Sequence, residues 1–103
     1  MGSFVTVAEV SEIPVGQMKE VELDGQSVVV VNVDGHFFAV EATCTHRGGP
    51  LAEGEVRGEV VTCPWHRGGF NVKTGEPVAL PTTEPITTYR VRVSGTSIQV
   101  APD

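Results

Sequence analysis

Only two cysteines occur in the 103 residues, alongside three histidines, one tryptophan and one tyrosine. A multi-disulfide scaffold is therefore excluded, and one cysteine bridge is the most the chain could form. Basic residues are also few: seven Lys and Arg stand against thirteen Asp and Glu, a formal net charge of -6 with neutral histidines. That balance opposes binding to nucleic acid or to an anionic membrane face and favours a basic partner. No run of eighteen apolar residues is present, and Met1-Gly2-Ser3-Phe4-Val5 has neither the basic start nor the apolar stretch of a secretory signal. The expectation is a cytoplasmic protein with no membrane association. Also missing are a nucleophile with its base, a paired acid and base, and a phosphate-binding glycine loop ahead of a helix, which weighs against an enzyme.

What the chain has in quantity is turn chemistry. Twelve glycines and seven prolines, with no apolar repeat at helical spacing, predict an all-β protein. Candidate strands are Val5–Ala8, Lys19–Leu23, Ser27–Val33, Phe37–Glu41, Val60–Thr62, Phe70–Val72, Tyr89–Val93 and Ser97–Val100, broken by Asp24-Gly25, Asp34-Gly35, Thr74-Gly75 and Ser94-Gly95. Val28-Val29-Val30-Val31 is apolar without alternation, so its strand is expected to be covered on both faces. Tyr89, Val91 and Val93 alternate with Arg90 and Arg92, which predicts one core face and one wet face. At 10.9 kDa one domain spanning residues 1–103, a compact antiparallel β-sandwich, is the expected architecture.

Both cysteines lie in fragments that also carry a histidine, Cys44-Thr45-His46 and Cys63-Pro64-Trp65-His66, with sixteen residues between the fragments. Such a pairing is metal-ligand chemistry: thiolates suit soft metal centres, and neutral imidazoles suit iron or zinc. A disulfide does not account for the histidines. A structural zinc site could use the same four ligands, giving a colourless interaction module. Zinc fingers, however, usually set Cys beside Cys and His beside His, whereas each half here carries one of each on a glycine-rich loop.

Cys44-Thr45-His46-Arg47-Gly48-Gly49-Pro50-Leu51, Cys63-Pro64-Trp65-His66 and the following Phe70-Asn71-Val72-Lys73-Thr74-Gly75 resemble the Rieske ferredoxins of bacterial aromatic-ring-hydroxylating dioxygenases. The resemblance implies a Rieske fold whose cluster-binding loops, about residues 43–70, are inserted in a β base. It implies one [2Fe-2S] cluster, with Cys44 and Cys63 on the inner iron and His46 and His66 on the outer iron. It further implies a monomeric one-electron carrier rather than an enzyme, passing electrons from an NAD(P)H-dependent flavin reductase to a terminal Rieske oxygenase. A small Rieske-like subunit of an assimilatory nitrite reductase is the alternative within the same fold.

Neighbouring residues carry further expectations. Arg47 and Arg67 each follow a ligand histidine and are candidates for partner docking, Trp65 for shielding the cluster, and Pro81 for the family's covering loop. Gly48-Gly49 and Gly68-Gly69 would let backbone N–H groups approach the sulfurs, or simply make tight turns. His36, beside Asp34-Gly35, reads as a surface or strand-end histidine. The respiratory branch of the family carries an extra disulfide where Gly49 and Trp65 stand, and Ser and Tyr hydroxyls where Gly68 and Phe70 stand. Fewer donors imply a potential at the low end of the Rieske range, on the order of -150 mV. Arg67 and Asn71 depart from the glycine and aspartate common in the ferredoxin branch.

Overall fold

The computed structural model describes residues 4–43, 50–64, 68–80 and 84–101. The chain enters through β1 (Val5–Glu9) and a 3₁₀ turn, Val10–Glu12, in which Glu9 and Glu12 cap each other reciprocally. β2 (Met18–Leu23), β3 (Gln26–Val33) and β4 (His36–Glu41) then form an antiparallel meander. Its two turns are set locally: Asp24 and Gly25 take φ of 51° and 80°, Asp34 and Gly35 take 52° and 91°. Paired positive φ values define the type I′ turn, whose twist matches that of the strands it joins.

After a second 3₁₀ turn, Leu51–Glu53, four three-residue strands follow: β5 (Glu55–Arg57), β6 (Val60–Thr62), β7 (Gly69–Asn71) and β8 (Pro77–Ala79). β9 (Thr88–Ser94) and β10 (Ser97–Ala101) close the chain as a hairpin. The strands make two antiparallel sheets, a larger one in the order β1-β10-β9-β4-β3-β2 and a smaller one in the order β5-β6-β7-β8. β1 and β2, at opposite ends of the larger sheet, come into contact, so that sheet curls back on itself.

β3 explains how the two sheets share a core. Val28 and Val30 point into the curled sheet, where they meet Val21, Leu23, Ala39, Ile98 and Val100. Val29, Val31 and Val33 point the other way, onto Leu51, Val61, Cys63, Phe70, Val72 and Ile86 of the smaller sheet and its connections. Val28 to Val31 are all 0% exposed, as the unbroken valine run predicts. The all-β expectation holds, and eight strands lie where the sequence places them, within a residue or two at their ends.

Differences have identifiable causes. β5 and β8 have no counterpart among the candidate strands, because Glu-Val-Arg and Pro-Val-Ala carry weak strand propensity and exist through their ladders with β6 and β7. Phe70–Val72 is displaced by one residue: β7 runs Gly69–Asn71, and Val72, just past its end, still donates its N–H to the Glu59 carbonyl at 2.8 Å in the register of the β6–β7 ladder. The last hairpin turns at Gly95-Thr96 rather than Ser94-Gly95, since Ser94 still pairs with Ser97. Gly95, with φ 63°, takes the first central position.

Candidate metal centre

The two predicted ligand segments spring from loop bases of similar design. Thr43 and Pro50 form an antiparallel bridge, and the Leu51 N–H donates to the Ala42 carbonyl at 2.9 Å, closing the base of residues 44–49. The Cys63 N–H donates to the Gly68 carbonyl at 2.7 Å, closing the base of residues 64–67. Ala42, Leu51 and Cys63 belong to one buried cluster, so the two loop bases share one apolar floor. Cys63 itself is 1% exposed, in the same cluster as Val61, Phe70 and Val72.

Cys44, His46 and His66 lie outside the described residues, as do Arg47, Gly48, Gly49, Trp65, Arg67 and Pro81. Among the described residues, no group of three His, Cys, Asp or Glu side chains could hold a metal ion. The fit to an iron–sulfur centre is therefore tested at Cys63 and in the donor set. A buried sulfur at a closed loop base suits an inner-iron ligand, because a thiolate there is shielded from water by aliphatic and aromatic walls.

Sequence reasoning overlooked the packing that holds Cys63 in place. Gly54 lies so close to β6 that a Cβ built on it would fall 1.8 Å from the Thr62 carbonyl oxygen, one residue before Cys63. Glu53, Gly54, Glu55, Arg57, Thr62, Cys63 and Pro64 line a cleft of about 510 Å³ beside the second loop. Gly69 lies in β7 rather than in a turn, and its Cβ would sit 3.3 Å from both Ala79 Cβ and Val60 Cγ1. Phe70 is 0% exposed, so its ring fills the core at the position where the respiratory branch carries a tyrosine.

At the far end of the smaller sheet, Asn71 Oδ1 accepts from the N–H groups of Lys73 at 2.8 Å and Thr74 at 3.3 Å. Asn71 Nδ2 donates to Glu59 Oε1 at 3.3 Å, and Lys73 Nζ lies 3.1 Å from Glu59 Oε2. An aspartate at 71 would face the Glu59 carboxylate, which gives Asn a physical reason here. The Lys73 hydrogen bond, then that from Asn71, lowers the Glu59 pKa below its ordinary 4.5. Burial, then the Glu41 charge, raises the Tyr89 pKa above 10.0. His36 stands exposed at the start of β4, the end of that strand away from Ala42.

An antiparallel β fold in which two closed loop bases share one core, with one Cys and one His in the sequence of each segment, is the setting of an iron–sulfur domain. The chain belongs to the Rieske [2Fe-2S] domain family, which matches residues 3–90. It is 39% identical over 99 residues to the biphenyl dioxygenase ferredoxin subunit of Pseudomonas sp. (strain KKS102), covering 95% of this chain and 91% of that protein. The ferredoxin of carbazole 1,9a-dioxygenase from Nocardioides aromaticivorans IC177 superimposes with a TM-score of 0.94 at 36% identity, covering 98% and 99%. A ferredoxin in a solved complex of reduced oxygenase and oxidised ferredoxin of carbazole 1,9a-dioxygenase gives 0.91 at 36% identity, covering 95% and 92%. Among the described residues no helix is long and apolar enough to cross a membrane.

Proposed function

We propose that this chain is the ferredoxin of an aromatic-ring dioxygenase system, with Cys44 and Cys63 holding the inner iron and His46 and His66 the outer iron of one [2Fe-2S] cluster. It takes single electrons from an NAD(P)H-dependent flavin reductase and delivers them to a terminal Rieske oxygenase, acting as a monomer with no catalytic residues of its own. The observation that carries this reading is the buried Cys63, fixed at a loop base that shares its apolar floor with the base of the Cys44 loop.

A bound cluster supplies one-electron redox chemistry at that site. The rest is the work of the chain. Leu51, Val61, Phe70 and Val72 exclude water from the Cys63 side of the site. His46 and His66 would hold the outer iron through one ring nitrogen and keep a proton on the other. The net charge of -6 speeds encounter with a basic partner surface.

The test is a visible spectrum of the purified protein, electron paramagnetic resonance after dithionite, and stopped-flow reduction of biphenyl and carbazole dioxygenase terminal oxygenases. The expected result is a brown protein with a rhombic signal of the reduced state that reduces at least one of the two. Cys63→Ala should abolish both colour and signal. One zinc per chain with no acid-labile sulfide would end the proposal.

A further inference from the structure

The smaller sheet has two edges of opposite character. β5 is one edge, and it is charged: Glu53, Glu55 and Arg57 are exposed there, with Arg57 Nη2 3.7 Å from Glu55 Oε2. β8 is the other, and it exposes Val78 at 53% and Leu80, one residue past its end, at 79%. The remaining exposed large apolar side chains among the described residues, Val5, Val15 and Val93, are scattered singly. Sheet edges are normally protected by charge, bulges or covering segments, because a bare apolar edge invites unwanted pairing. Pro77 removes one backbone donor from β8 but leaves the apolar pair outward. Such a pair implies a surface that covers it.

Its position says which surface. Gly69 pairs with Ala79, so Leu80 stands next to Gly68, whose carbonyl accepts the Cys63 N–H. Neighbouring strands lie about 4.8 Å apart, so a protein approaching the second ligand loop meets Leu80 as well. The strip is too small for a stable self-dimer, which needs about 800 Å² on each side. It suits a contact that forms and releases with every electron. The related carbazole dioxygenase ferredoxin is found in complex with its oxygenase.

We propose that Val78 and Leu80 form an apolar docking strip for the terminal oxygenase, covered by apolar side chains beside that partner's electron-accepting site. This rests on the electron-carrier reading above. The charged β5 edge on the opposite side of the ligand loop makes the face asymmetric, so the oxygenase docks in one orientation.

The experiment uses the cluster-loaded protein and whichever of the biphenyl and carbazole dioxygenase terminal oxygenases the wild type reduces faster. Leu80→Ser combined with Val78→Ser should raise the ferredoxin concentration for half-maximal oxygenase reduction about tenfold, equally at low and high salt. The spectrum and midpoint potential should not change, and reduction by the flavin reductase should change less than about twofold, well short of a hot-spot loss. Leu80→Met should restore most of the loss, and Val93→Ser, at the far end of β9, should behave as wild type. An unchanged half-saturation, a loss that vanishes at high salt, an equal loss toward the reductase, or a bleached Leu80→Ser spectrum would each overturn the strip. A colourless wild type would instead defeat the carrier reading itself.

Discussion

Asn32 is the buried polar side chain among the described residues, 5% exposed at the end of a valine run. Its Nδ2 donates to the Ile13 carbonyl and its Oδ1 accepts from the Gly35 N–H, each at 2.8 Å. One side chain thereby ties the loop before β2 to the β3–β4 turn. Asn32→Ala removes both partners and leaves two backbone groups short of a bond, so unfolding in urea should show a loss of about 2–3 kcal/mol. An Asn32→Ala variant within about 0.5 kcal/mol of wild type, the range of an ordinary surface change, would contradict that role. Nothing in the sequence distinguished Asn32 from a solvent-facing residue, because its partners are backbone atoms brought in by the fold.

At the scale of elements, the smaller sheet that carries Cys63 beside β6 depends on contacts among very short strands. Gly54 is the sharpest case, since any side chain there collides with the Thr62 carbonyl. Gly54→Ala should displace the end of β6 and with it Cys63, lowering iron and sulfide per chain to less than half of wild type, while the strand signal in circular dichroism persists. Full cluster content in that variant would show that β6 can shift without losing the ligand. The Glu59–Asn71–Lys73 group ties the β5–β6 turn to the β7–β8 turn. Because the Glu59 pKa is lowered in the folded chain, its contribution to stability is present above the unfolded value near 4.5 and is lost as pH falls through the folded one. Lys73→Met removes the largest cause of that shift. Its urea midpoint should therefore lie below wild type at neutral pH, and the gap should narrow as pH drops below 4.5. A gap that is constant with pH would place the effect elsewhere.

For the whole molecule, the measurable consequence is the reduction potential. Rieske centres span about -150 to +300 mV, and hydrogen-bond donors to the cluster and its ligands raise the value. Gly68 has no side-chain donor and Phe70 has no hydroxyl. The Phe70 ring is wholly buried in the core, which leaves no space at that position for a compensating polar group. Potentiometry should therefore give a midpoint at the low end, on the order of -150 mV. A clearly positive value at neutral pH would mean that donors come from elsewhere in the fold. The acidic charge affects rates of encounter more than the potential, and it weakens with salt as screening shortens its reach.

The all-β class, the turns at Asp24-Gly25 and Asp34-Gly35, the doubly covered valine strand and the paired Cys and His fragments were all readable from the chain before any fold was known. Each of these depends on local chemistry or on the alternation of side chains along one strand. Cys63 stood out as a candidate ligand because the spacing of Cys and His is itself the signal. Tertiary structure alone decided that β5 and β8 exist, that Gly54 must lack a side chain, that Asn71 is matched to Glu59, and that Val78 and Leu80 line an outer edge. Those features arise where segments distant in sequence meet, and a three-residue strand has too little propensity of its own to announce its partner beforehand.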